Sequence, residues 1–484
     1  MGNSHHMTTV REQVLTGLKW TAGGKLGAQV ITWAITLVVM RLLTPEDYGL
    51  LAMASVFVAF MLMLSEAGLG PALIQKQDLD ETALRSVFAI VIIANISLLL
   101  LLNLLSPFIA AFFDEERLIL ILHVLSLQFL LTIFGTLPSV QLYRQLKFRS
   151  LSLISFLTTI VGSILTLILA FAQFGVWALV LGNLFAGILS VIAMNVVAPL
   201  HFFPKFSVAG MRNLLSFGGN VTLSRLLWFF YTQADIAIIG KLLGKETLGV
   251  YSIAMQLASL PVQRISAIIN QVAFPVFSRI QDNREQFSSF ILKAARMLSL
   301  VAFPILWGIS SIADEIVQLF LGEKWHNAIL PLQLLALMMP LRMIANFLPS
   351  AVDALGRPDV TMRNVLLASI VMPIAFLIGC NWGLEGVALS WVIAYPLVFF
   401  INIQRMLRVI ELRLSDFFYA MMPAMGTTIG MYLAVRATAT LLANNIDQWT
   451  KLLILITTGV LIYTSLTLLF NKRGYREVVD LIRR

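Results

Sequence analysis

The chain alternates long apolar runs with short polar interruptions, and the runs are too long to be strands. VFAIVIIANISLLLLLNLLSPFIAAFF (87–113) and LLILITTGVLIYTSLTLLF (452–470) each reach the length of about 20 residues that a helix needs to cross a bilayer. Reading every such run between charged or Gly/Pro-bearing loops predicts fourteen spans: 17–43, 48–74, 85–113, 117–142, 150–173, 176–200, 210–240, 246–278, 287–321, 327–355, 361–380, 384–404, 415–441 and 451–470. The predicted fold class is an all-α polytopic membrane protein.

The pattern also repeats. RLLTPEDYGLLAMA (41–54) returns as KLLGKETLGVYSIA (241–254), with a basic residue, two leucines, a glutamate, a glycine and an alanine in register. At the same offset Lys25 in span 1 aligns with Arg225 in span 7. FGVWALVLG (174–182) resembles WGLEGVALS (382–390), and LPS occurs at 137–139 and 348–350. Each copy holds six spans, an even number, so both enter from the same side as parallel repeats. The expected architecture is two parallel, pseudo-symmetric six-helix lobes, 17–204 and 205–410, followed by spans 13 and 14 with a cytoplasmic tail in 411–484. Segment 1–16 precedes them; its first six residues are expected to be an expression remnant, with Met7 the native start, and no cleavable signal peptide is expected.

Composition agrees with the spans. Charged residues are 12% of the chain and hydrophobic ones 59%, against about 25% charged in soluble domains. The net charge is +9, and its placement is informative. With the N-terminus in the cytoplasm, outward loops keep only Arg41, Arg117, Lys241, Lys245, Lys324 and Lys451, while clusters such as Arg144–Lys147–Arg149 and Arg405–Arg408–Arg413 fall inside. This is the positive-inside bias; it puts both termini in the cytoplasm and makes a nucleic-acid partner unnecessary. Cys380 is the only cysteine, so neither a disulfide framework nor a thiolate metal site is expected. His123, His201 and His326 show no ligand spacing, and no G-x-x-x-x-G-K-[ST] motif is present. The outward loops, such as TPED, DEER and GEKWHN, leave little room for the catalytic surface of a membrane glycan polymerase or ligase. The chain reads as a transporter, not an enzyme, without a cofactor.

Several apolar spans carry polar stripes. In span 1, Thr21, Lys25, Gln29, Thr32 and Thr36 recur at helical spacing, and in span 7 Arg225, Trp228, Thr232 and Asp235 do so. Span 8 offers Ser252, Gln256, Ser259, Gln263, Ser266 and Asn270 with Arg264 at the edge; span 10 offers Arg342, Asn346, Ser350 and Asp353. Glu66 is the lone acid deep in span 2. A charge at bilayer depth costs about 2.5–3.5 kcal/mol even on lenient scales, so the stripes should line a cavity or an interhelical seam. Lys25, Arg225, Arg264 and Arg342 outnumber Glu66 and Asp235, which makes such a cavity cationic and suited to a phosphate. Gln29, Thr32, Gln256, Gln263, Asn270 and Asn346 are its candidate polar lining. Plainer readings stand beside this one: Lys25 and Arg225 can snorkel, Arg264 and Arg342 can pair with the buried acids, and the span 8 stripe can be interhelical glue.

RLLTPEDYG (41–49), SEAGLGPALIQ (65–75) and ALGRPD (354–359), with the six-plus-six repeat, carry a resemblance. The chain resembles Wzx-type flippases of the polysaccharide transporter family, near the colanic and teichuronic acid exporters of the multidrug/oligosaccharidyl-lipid/polysaccharide exporter superfamily. That resemblance implies translocation of an undecaprenyl-diphosphate-linked oligosaccharide across the bacterial cytoplasmic membrane by alternating access. An H+ or Na+ gradient or the membrane potential would drive it, with Glu66 and Asp235 as candidate coupling acids. It implies a monomer among membrane lipids, with polysaccharide polymerase and assembly proteins as candidate partners. Rival readings are a lipid II flippase and a drug/cation antiporter; the basic excess argues against the latter.

Overall fold

The computed structural model describes residues 31–66, 81–199, 204, 212–442, 446–472 and 474–477, and every regular element among them is helical. Among the described residues, ten stretches are long and apolar enough to cross a membrane, and two of them, Glu323–Ala354 and Pro358–Ile410, each comprise more than one helix. The chain divides into two compact units, Met1–Phe229 with Gly244–Glu246, and Phe230–Leu243 with Thr247–Arg484.

The first unit contains α1 (Ile31–Leu42), α2 (Pro45–Glu66), α3 (Glu81–Phe113), α4 (Arg117–Arg144), α5 (Phe148–Phe171) and α6 (Val176–Val197). The TPED turn starts α2 by reciprocal capping. Thr44 donates from N and Oγ1 to Asp47 Oδ2 at 3.0 and 2.8 Å, and Asp47 N–H returns a bond to Thr44 Oγ1 at 3.3 Å. Pro45 takes the first helical position, where its missing N–H costs nothing. α3 packs on α4, and α4 and α5 pack on α6; Val87, Phe88 and Val91 meet Ile133, Leu137 and Val140 in a buried cluster. Outside, Leu100, Leu104 and Phe108 recur every four residues and are 62, 69 and 70% exposed. A soluble surface would not carry that stripe; it is a lipid-facing edge.

A helical stretch, Arg212–Ile280, breaks only at Gly244, where φ 81° and ψ 177° are open to glycine alone. Its arms are α7 (212–243) and α8 (245–280). The second unit continues with α9 (Arg284–Ser311), the single turn α10 (Ala313–Ile316), α11 (Ile329–Ala345), α12 (Leu348–Ala354), α13 (Pro358–Gly379), α14 (Gly383–Ile410), α15 (Leu414–Leu441) and α16 (Gln448–Phe470). α9 packs on α11 and α15, α11 on α14, α13 on α14, and α15 on α16.

Boundaries depart from the apolar pattern where charge or proline intervenes. Span 9 runs to its predicted end with one interruption: α9 breaks at Ile312, and α10 and a π-helical turn, Val317–Leu321, carry the helix on, with Asp314 and Glu315 pairing with Arg436 at 3.5 Å and Lys451 at 2.9 Å. Span 10 splits between Ala345 and Leu348, with Pro349 at the start of α12, while Pro340 lies inside unbroken α11. Pro261 and Pro275 are both accommodated within the helix of span 8.

Candidate functional site

The candidate residues that the described structure gathers lie in the second unit. Asp235 sits on α7 at 5% exposure. Such a carboxylate is tolerable only if its oxygens are met. Tyr251 Oη on α8 donates to its Oδ2 at 2.6 Å, and Ile236 N–H donates to its Oδ1 at 2.9 Å. Tyr251 Oη in turn accepts from Trp391 Nε1 of α14 at 2.8 Å. The relay therefore runs Trp391 to Tyr251 to Asp235 through three helices, with both aromatic members buried.

Arg342 of α11 joins this relay through the ring face. Its guanidinium carbon stands 5.2 Å from the Trp391 centroid, where the ring quadrupole attracts a cation. Trp391 is itself braced by Phe376 at 5.2 Å and Tyr395 at 5.8 Å. Arg342 acts electrostatically on Asp235, Tyr231 and Tyr251, yet among the described residues no ion pair joins it to Asp235. The direct pairing left open by the sequence is absent for these two: an aromatic hydroxyl, not the guanidinium, caps the acid. The ring face steadies Arg342 without an ion pair, and among the described residues no hydrogen bond takes up its N–H donors.

Along α8 the predicted stripe is split between exposure and packing. Gln256, Gln263, Arg264 and Asn270 are exposed, whereas Ser266 is buried and accepts from Nδ2 of Asn346, the residue that caps α11, at 3.3 Å. Gln263 Nε2 donates to Ser259 Oγ at 3.1 Å, one turn back on the same helix. Asn346 thus bonds across to α8, while Arg264 has no acid partner among the described residues. Thr32, in the first unit, is half-buried, and its hydroxyl oxygen has no partner in the described structure. Lys25 and Gln29 lie outside the described residues, and the side chains of Glu66 and Arg225 do too. No cluster of three or more His, Cys, Asp or Glu side chains able to hold a metal is found among the described residues.

Sequence reasoning singled out none of Trp391, Tyr251, Tyr231 and Tyr395 as site residues. One signal was present: Trp391, Tyr395 and Phe399 repeat every four residues on α14, a single aromatic face.

Comparison with known proteins fixes the family. The pattern defining the family described as "Polysaccharide biosynthesis protein" matches residues 38–330. The chain belongs to this family. It is 28% identical to the teichuronic acid biosynthesis protein TuaB of Bacillus subtilis (strain 168) over 88% of this chain and 89% of the relative. It is 26% identical to the lipopolysaccharide biosynthesis protein WzxC of Escherichia coli (strain K12) over 80% and 79%. Among solved structures, the lipid II flippase MurJ in an inward closed conformation superposes with TM-score 0.73 at 16% identity, covering 95% of this chain and 99% of that one. An inward-facing multidrug transporter of the MATE family gives 0.60 at 14%, covering 79% and 96%. At these identities the likeness is one of fold. This family member is a multi-pass helical membrane protein with the fold of transporters.

Proposed function

We propose that this polysaccharide biosynthesis protein is a flippase. It moves an undecaprenyl-diphosphate-linked oligosaccharide repeat unit from the inner to the outer leaflet of the bacterial cytoplasmic membrane, for surface polysaccharide assembly. The observation that carries the reading is Arg342: a membrane-depth cation supported by an aromatic face and without an ion-pair partner among the described residues, as a phosphate-binding group should be. Arg264, exposed and unpaired among the described residues, adds to it, and the relatives TuaB and WzxC are named for teichuronic acid and lipopolysaccharide biosynthesis.

In this reading two parallel six-helix lobes alternate access to a cationic lumen, with Lys25 and Arg225 contributing alongside Arg264 and Arg342. Both chain ends stay in the cytoplasm. An H+ or Na+ gradient or the membrane potential drives the cycle, and Asp235, with Glu66, is the candidate coupling acid. The enclosed Asp235–Tyr251–Trp391 relay suits that role, because a proton or cation arriving at Asp235 changes the charge beside Arg342. Depleting the protein should cause a lipid-linked saccharide to accumulate on the cytoplasmic leaflet; no accumulation with unchanged surface polysaccharide refutes the proposal. If lipid II accumulates instead, the substrate is the peptidoglycan precursor. Arg264→Gln and Arg342→Gln should each reduce translocation in folded protein, and unchanged transport would make them structural. Asp235→Asn should abolish the dependence of transport on the driving gradient.

A further inference from the structure

The loop-proximal ends of α13 and α14, on the side that the basic-residue bias assigns to the cytoplasm, form an open cavity of about 500 Å³ with a wall of two chemistries. Arg357 and Arg363 from the start of α13 and Arg405 and Arg408 from the end of α14 form one part; aliphatic side chains including Leu366 and Ile370 form the other. The spacing explains the grouping. Arg405 and Arg408 are three residues apart on one helical face, and Arg363, Leu366 and Ile370 share a face of α13.

The charge is largely uncompensated. Asp359 pairs with Arg357 at 2.9 Å and stands 4.0 Å from Arg363. Arg405 and Arg408 have no acid partner among the described residues, and the acid next along the chain, Glu411, faces Arg284 at 3.7 Å. The two helices are pinned at this level by an exchange of bonds: Asn364 Nδ2 donates to Asn402 O at 3.2 Å, and Asn402 Nδ2 to Asn364 O at 3.4 Å. The guanidinium cluster is thus assembled on a fixed helix pair.

The aliphatic wall does not end at the cavity. Ile370, Ile374 and Leu377 continue along α13 at 54, 52 and 51% exposure, a track that only acyl chains would cover in a membrane. A free anion has no use for that track, and a lipid tail does.

We propose that this cavity is a binding site for the phosphate headgroup of an anionic glycerophospholipid, with its acyl chains lying along the Ile370–Ile374–Leu377 track. Basic pockets between spanning helices on the cytoplasmic side are suited to such headgroups, and arginine meets phosphate through paired donors. The site uses none of the residues assigned to transport and stands apart from the translocation reading.

The test is native mass spectrometry of the full-length protein titrated with dioleoylphosphatidylglycerol, dioleoylphosphatidylcholine and undecaprenyl phosphate. Each arginine near the membrane surface contributes about a fivefold gain in affinity for an anionic lipid. Arg405→Ala/Arg408→Ala should therefore weaken phosphatidylglycerol binding about twenty-five-fold and leave phosphatidylcholine binding unchanged. Equal phosphatidylglycerol affinity in parent and variant overturns the proposal. A loss confined to undecaprenyl phosphate also overturns it, assigning the cavity to the phosphate of a polyprenyl carrier. Should the double variant fail to fold, the exposed Arg408→Gln carries the test: about a fivefold loss is expected, and no loss refutes it.

Discussion

Gly49→Ala sets two opposing magnitudes against each other. In a helix interior alanine is worth about 1 kcal/mol over glycine, so propensity alone makes the variant more stable. Gly49 is buried in α2, however, against the Gly244–Glu246 turn of the same compact unit. A Cβ there would fall 2.6 Å from the carbonyl carbon of Lys245 and 3.0 Å from its Cα, with the carbonyl oxygen nearer still. Carbon atoms pack at about 3.5–4.0 Å, so the turn must retreat by about 1 Å. That retreat strains the ion cluster the turn carries, in which Lys245 Nζ meets Glu46 at 2.7 Å and Glu115 at 2.5 Å. Overpacking against backbone costs about 1–3 kcal/mol, and a loosened, partly solvated cluster about 1 more.

The clash outweighs propensity, and Gly49→Ala should destabilise by about 1–3 kcal/mol. Thermal unfolding in detergent measures it, and a double-mutant cycle with Lys245→Met tests the route. If the retreat breaks the cluster, Lys245→Met costs less in the alanine background than in the parent. A Gly49→Ala protein as stable as the parent, with additive effects, would refute the reasoning.

Other consequences follow from the same contacts. Arg117, and then Lys245, bond to Glu115 and hold its carboxyl down from the ordinary 4.5 to about 2. The folded value lies below the unfolded one, so this stabilisation is complete above about pH 4.5 and is lost as pH falls towards 2; a low-salt titration of Tm should drop in that window, and Glu115→Gln should flatten it. Tyr251→Phe strands a buried carboxylate oxygen and an indole N–H and should cost about 2–4 kcal/mol in denaturant unfolding; a loss below 1 would mean that water replaces the hydroxyl. At Gly244 no atom stands within 4 Å of a built Cβ, so Gly244→Ala isolates backbone strain, about 1–3 kcal/mol, and an unchanged Tm would show that the kink relaxes.

Long apolar runs made the helices legible, and TPED foretold its own cap because Thr44, Pro45 and Asp47 act within one turn. What stayed hidden depends on partners distant in sequence. Glu115 and Lys245 read as solvated loop charges, since nothing local says that residues 130 apart will meet. Tyr251 precedes the first residue of the span 8 stripe and looks like its apolar back; only the arrival of α7 and α14 makes its hydroxyl the hinge of a relay. Asn346's spacing from Arg342 points to cavity lining and gives no hint that Ser266 of α8 stands within its reach. Helical periodicity reports which side of a helix is polar; it does not say whether that side meets water, ligand or another helix.

The manner in which each arginine is held decides what it can bind. Arg117 commits its Nε and Nη2 donors to Glu115 and Glu46. Arg342 is different: the Trp391 face steadies it without using those donors. Two substitutions separate the ring from the indole N–H. Trp391→Phe keeps an aromatic face, if a weaker one, and removes the donor to Tyr251; Trp391→Leu removes both. If the face positions Arg342 for a phosphate, translocation should fall several-fold further in the leucine variant than in phenylalanine, since a cation–π contact is worth about 0.5–2 kcal/mol. Stability should fall in both, because both lose the Nε1 bond, so a transport difference between them cannot come from folding alone. Equal transport losses would place the function of Trp391 in the relay to Asp235, and Arg342 would then owe its position to α11 alone.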